Sequence, residues 1–158
     1  MPPHLETTKG PARVTEVTAD GYRQLAEFRY QIRRFLRYSE EAARARRIEP
    51  QQHQLLLAVK GLPLGARPSI GTLAERLCLR HHSTVELVDR LEEQGAVRRC
   101  HHSEDRREVL VELTPHGNRL LHRLSREIVR ELRVSGPELS RALLAVLAHL
   151  APPEPPRA

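Results

Sequence analysis

Leu73-Ala74-Glu75-Arg76-Leu77-Cys78-Leu79-Arg80-His81-His82-Ser83-Thr84-Val85-Glu86-Leu87-Val88-Asp89-Arg90-Leu91 is the stretch that decides the fold. Ser69, just before it, is suited to cap a helix, because its hydroxyl accepts from a backbone N–H two or three residues on. Ile70, Leu73, Ala74 and Leu77 recur at three-four spacing, which is the buried side of a short helix. A break at Cys78-Leu79 leads into a second helix over residues 81–94, with Val85, Val88 and Leu91 inward. Gly95 ends it, since glycine takes the left-handed conformation of a C-cap without steric cost. Two helices joined by so short a turn form a helix-turn-helix, in which the first braces the second and the second offers its N-terminal residues to the major groove of DNA.

Working outward, residues 96–100 read as a strand, residues 101–107 as a polar, charged turn, and residues 108–113 as the returning strand of a hairpin. Thr114-Pro115 pairs an N-cap with a proline at the first helical turn, a strong start. The helix that follows carries Leu121, Leu124, Ile128 and Leu132, and Gly136-Pro137 is expected to stop it. A last helix then has Leu139, Leu143, Val146, Leu147 and Leu150 on one face. Upstream, Leu25, Phe28, Ile32, Phe35 and Ala42 mark a long amphipathic helix over about residues 20–47, and Pro50 opens a short one through Leu55, Leu56 and Val59. Gly61, Pro63, Gly65 and Pro68 form a loop.

The expected architecture is mainly α: a winged helix-turn-helix with a small β-hairpin wing, flanked by long N- and C-terminal dimerisation helices. Residues 1–18 read as a mobile arm, residues 19–151 as one domain, and residues 152–158 as a proline-rich tail. Within the domain the winged lobe covers about residues 50–114, and the dimerisation helices about 20–47 and 115–150. Long apolar stripes at both ends would stay wet in a monomer, so a second copy is expected to cover them.

Among the 158 residues, 39% are hydrophobic and 29% charged, a balance that suits a folded helical domain and argues against disorder. The formal net charge is +6, and nine histidines could add to it below neutral pH. The apolar runs at residues 55–59 and 142–148 fall far short of the ~20 residues of a membrane span. No export signal is read at the start, and two cysteines cannot staple a chain of this size, so a cytoplasmic location is expected. No phosphate-cradling glycine loop, nucleophile elbow or paired carboxylates are found, so the chain is read as a non-enzyme with no cofactor.

The same segments resemble the MarR-type transcription regulators. The resemblance is carried by Leu73-Ala74-Glu75-Arg76-Leu77, Ser83 through Gly95, the wing Asp105-Arg106-Arg107, the exit Leu113-Thr114-Pro115-His116-Gly117, and Pro50-Gln51-Gln52-His53. It covers about residues 20–150. It implies a homodimer on a pseudo-palindromic double-stranded DNA operator, usually released by a small aromatic or lipophilic effector or by cysteine oxidation. Carried over residue by residue, Arg107 matches the wing arginine that enters the minor groove, with Arg106 beside it and Asp105 holding the turn. His81, His82, Ser83 and Thr84 lie at the tip of the recognition helix, and Arg90 lies about two turns on. Glu86 stands where relatives often have a base-contacting arginine, and a carboxylate there accepts from a cytosine amino group instead. Tyr22, Phe28 and Tyr30 are candidates to line an effector pocket, and Leu25, Ile32, Leu124, Ile128, Leu139, Leu143, Val146 and Leu147 to form the dimer contact.

Several features admit other readings. The doublets His81-His82 and His101-His102, the second next to Cys100, contain metal-ligand types. Neighbouring helical residues point about 100° apart, however, so phosphate hydrogen bonding is preferred and no metal site is assigned. Cys100 and Cys78 are read as inert, Cys78 as a small apolar residue packed in the helix-turn-helix core. From Arg76 to Arg107 seven arginines meet six acids, whereas residues 21–47 hold eight arginines and three glutamates. That near-neutral helix-turn-helix leaves a protein-docking module, or a metal or redox sensor on the same scaffold, as alternatives to a repressor.

Overall fold

The computed structural model describes residues 17–101 and 109–150. Helix α1 (Ala19–Ala45) starts at Thr18, whose hydroxyl accepts from the Gly21 N–H at 3.2 Å. It ends where Arg47 takes a positive φ of 59°. Helix α2 (Pro50–Lys60) has proline in its first turn, and the Gln52 side-chain oxygen reaches back to accept from the Glu49 N–H at 2.9 Å.

Helix α3 (Ile70–Leu77) is capped by Ser69, which accepts from the Thr72 N–H at 3.2 Å. It closes with Cys78 at φ 53°, a left-handed cap that turns the chain into helix α4 (His81–Glu93). Strands β1 (Val97–His101) and β2 (Val109–Leu113) pair antiparallel, with Val97 opposite Leu113 and Arg99 opposite Val111. The Val111 N–H also donates to the Pro68 carbonyl at 2.9 Å, tying the wing to the segment that leads into α3.

One interior serves all these pieces. Leu55 and Leu56 of α2, Leu73 of α3, Leu87, Val88 and Leu91 of α4, and Val97 and Val111 of the hairpin bury together. Fully burying each such side chain stabilises by roughly 1.5–3 kcal/mol. The wing and α5 meet at Gly117, whose missing side chain makes the contact possible: a Cβ there would lie 1.9 Å from the Ala96 carbonyl oxygen. Thr114 completes the joint, accepting from the Gly117 N–H at 3.1 Å and donating to the Gly95 carbonyl at 2.6 Å.

Helix α5 (Pro115–Leu150) corrects one expectation: residues 115–150 form a single 36-residue helix that runs through Pro137 instead of two helices parted at Gly136-Pro137. Proline there removes one N–H bond, while contacts on both sides of it hold α5 against α1. Arg46 pairs with Glu127, Arg34 with Glu138 at 3.1 Å, and Thr18 meets His149 at 3.2 Å, so the two helices run antiparallel. Ala142 and Val146 are buried beyond the proline, and Ser135 donates to the Glu131 carbonyl at 3.0 Å just before it. Local punctuation gave way to packing along the whole length of α1.

Candidate nucleic-acid interface

Helix α4 buries Thr84, Leu87, Val88 and Leu91, which turns His82, Glu86, Asp89, Arg90 and Glu93 outward along one face. His81 and His82 are exposed in its first turn and Ser83 is half-buried. Thr84 is not part of that surface: it is 0% exposed, and its hydroxyl donates to the Arg80 carbonyl at 3.2 Å. Its place three residues into a helix made it look like a tip residue, but the helix phase puts it on the core side. Asp105, Arg106, Arg107 and His102 lie outside the described residues.

Acids and arginines are sorted in space in a way that counting charges could not show. Arg99 on β1 holds Asp89 at 2.6 Å and Glu92 at 2.5 Å, and its N–H donates to Glu92 at 2.8 Å. Arg98 holds its cross-strand partner Glu112 at 2.8 Å, which keeps that carboxyl below the usual carboxylate range. Much of the acidity of the second half of α4 is therefore matched by strand arginines at the wing base. Around the N-terminal half stand Arg76 and Arg80, both exposed, with Glu75 and Glu86 as the nearby acids in sequence. Glu86 lies 4.0 Å from Arg90, an exposed pair of little energetic weight. Arg76 and Arg80, which were not among the residues expected at the site, flank the turn between α3 and α4.

The cysteines separate as well. Cys100 donates weakly to the Leu110 carbonyl at 3.7 Å, and burial together with Glu112 pushes its thiol pKa up. A reactive sensor thiol needs the opposite shift. Cys78, expected in the core, is instead exposed, because it forms the left-handed cap at the turn between α3 and α4.

Away from the recognition helix, a cavity of about 420 Å³ opens between α1, α2 and α5, walled by Phe35, Leu36, His53, Leu57, Ile128 and Val129. The expected pocket residues are not in it. Tyr22 and Tyr30 are 65% and 50% exposed, and Phe28 is half-buried elsewhere. All three belong to the N-terminal half of α1, whereas α2 meets the C-terminal half. Tyr30 instead carries the Arg34 guanidinium 5.8 Å from its ring centre.

The residues expected at a dimer contact divide three ways. Leu25, Leu143 and Leu147 are exposed, while Ile32, Ile128 and Leu139 are half-buried. Leu124 is fully buried in the lobe's own core and Val146 is buried on α5, so neither is free to meet a second chain. Among the described residues no helix is long and apolar enough to cross a membrane.

Comparison with known proteins bears on this geometry. The sequence model of the MarR family matches residues 48–108, from just before α2 through β1 and up to the start of β2. An uncharacterized HTH-type transcriptional regulator of Bacillus subtilis (strain 168), YfiV, is 33% identical over 86 residues. That match covers 52% of this chain and 54% of the relative, so the chain spans about half the length of the curated relative it matches. A crystal structure of a MarR family transcription regulator superposes with a TM-score of 0.66 at 17% identity, covering 80% of this chain and 85% of the other. Bordetella bronchiseptica BpsR, whose DNA binding is described as regulated by 6-hydroxynicotinic acid, superposes with a TM-score of 0.58 at 18% identity, covering 76% of this chain and 92% of its own. At those identities the structures speak for the fold.

Proposed function

We propose that this chain is a member of the MarR family of transcription regulators, and that it binds a specific DNA operator as a homodimer and represses until a small molecule releases it. The observation that carries the reading is the first turn of α4, where His81 and His82 are exposed and Ser83 half-buried, preceded by the exposed Arg76 and Arg80 and followed in the chain by the hairpin. A helix held this way enters a major groove by its N-terminal end, and the adjacent wing, where Arg106 and Arg107 lie in sequence, reaches the neighbouring minor groove. Glu86 and Arg90 then read or brace at the groove wall.

The dimer reading is supported by the apolar side chains left uncovered on the helical stalk. Leu25 on α1 and Leu132, Leu143, Leu144 and Leu147 on α5 are all exposed. A second copy burying this face places two recognition helices about one helical turn, ~34 Å, apart on DNA. Because α5 is continuous from lobe to stalk, a ligand wedged between α1, α2 and α5 tilts one against the other and changes that spacing. A coupling of about 1–3 kcal/mol suffices.

The test is selection of bound sequences from random duplex DNA at physiological salt, scored by gel shift. An enriched inverted repeat, bound with an affinity that falls steeply as salt rises, is the expected result. A folded dimer that enriches nothing overturns the DNA reading and leaves the winged helix as a protein-docking surface.

A further inference from the structure

His53 is the outlier among the buried groups. It is 2% exposed at the end of the first turn of α2 and lies in the wall of the cavity between α1, α2 and α5, yet neither ring nitrogen has a hydrogen-bond partner. A leucine would fill the same space with no polar atom to satisfy, so an unpartnered imidazole is a liability unless something entering the cavity bonds to it. Burial lowers the pKa of His53, so at neutral pH the ring is uncharged and offers one donor and one acceptor.

The rest of the wall narrows the chemistry. Phe35, Leu36, Leu57, Ile128 and Val129 are apolar, and among the described residues no arginine or lysine lines the cavity. Its charged member is Glu40, whose carboxylate is held by Arg44 at 3.3 Å. Ser39, Gln51, Gln54 and Ser125 are the neutral polar groups. A ligand carboxylate would meet the like charge of Glu40, with Arg44 already committed to it and no cationic side chain among the described lining residues, which is costly away from water.

Resting on the reading of this cavity as the effector site, we infer that His53 is its specificity-determining residue, and that the cavity takes an uncharged, mostly apolar molecule that presents a hydroxyl or amide to the imidazole. The 420 Å³ volume suits a ligand of one or two rings.

Three probes of matched shape test this: naphthalene, 2-naphthol and 2-naphthoate, titrated into the full-length protein without DNA. The chain has no tryptophan, so the probes' own fluorescence reports binding. The expected order is 2-naphthol about tenfold tighter than naphthalene, with 2-naphthoate weakest. In His53→Phe the alcohol loses its advantage and naphthalene binds at least as well as before; His53→Gln, which keeps a donor and an acceptor, retains part of the preference and stands in if the first variant does not fold. Equal binding of naphthalene and 2-naphthol by the wild type overturns the proposal, as do tightest binding of the carboxylate, no binding by folded protein, or an undiminished preference in His53→Phe. If 2-naphthol binds as expected but leaves DNA affinity unchanged, the effector reading fails while the His53 assignment stands.

Discussion

The winged lobe and the α1/α5 stalk bury different things. In the lobe, leucines and valines from α2, α3, α4 and the hairpin close over one another, and even the Thr84 hydroxyl is satisfied internally. In the stalk, α1 turns Gly21, Gln31, Ser39 and Ala43 inward, while its stripe of Leu25, Phe28, Ile32 and Phe35 stays exposed or half-covered. A lobe built that way is complete as one chain. A stalk whose α1 hides small and polar residues and shows its leucines leaves an apolar face for the proposed second copy to cover, while ion pairs such as Arg34–Glu138 and the buried Ala142 and Val146 hold α1 to α5.

The contrast can be broken at several points. Leu91→Ala, in the middle of the lobe, should cost about 2–5 kcal/mol in chemical denaturation; a loss below 1 kcal/mol would mean the lobe core is not the close-packed unit described. Leu147→Glu, exposed near the end of the stalk, should leave the helical circular-dichroism signal intact yet weaken self-association about a hundredfold in sedimentation, roughly 2.7 kcal/mol. An unaltered dimer would remove this face from the interface.

Gly117→Ala tests the joint between wing and α5. The added carbon would run into the Ala96 carbonyl, and backbone must shift, so a loss of about 1–3 kcal/mol is expected in thermal melts. A neutral substitution would show that the close approach is not needed. The smallest effect concerns acid. Because burial lowers the folded-state pKa of His53 below its unfolded value, the unfolded chain takes up its proton first as pH falls below about 6.5. Stability should therefore decline below that pH, and His53→Gln should flatten this part of the profile. A wild-type profile flat from pH 7 to 5 would contradict the burial argument.

How much was readable in advance follows the same division. In the lobe, local signals and tertiary packing agree: Ser69 caps α3, Gly95 adopts a positive φ of 68°, and Thr114-Pro115 opens α5, each as its residue type demands. In the stalk they compete. Gly136-Pro137 is strong local punctuation, yet α5 continues through it because packing against α1 extends on both sides. Phe28 and Tyr30 share a helix with Phe35, but only Phe35 reaches the cavity, since α2 crosses α1 near its C-terminal half.

The amino-acid sequence alone determined the kind of lobe this is, because capping residues, glycines and apolar spacing act over three to seven positions and leave a signature at that range. It also placed His81 and His82 in the first turn of α4, where the structure leaves them exposed. Only the tertiary structure decided that Thr84 and Leu124 belong to the interior, that Arg98 and Arg99 are committed to Glu112, Asp89 and Glu92, and that His53 stands unpartnered in a cavity wall. Those outcomes depend on which distant elements meet, and charge pairing and desolvation are set by neighbours in space that no local spacing encodes.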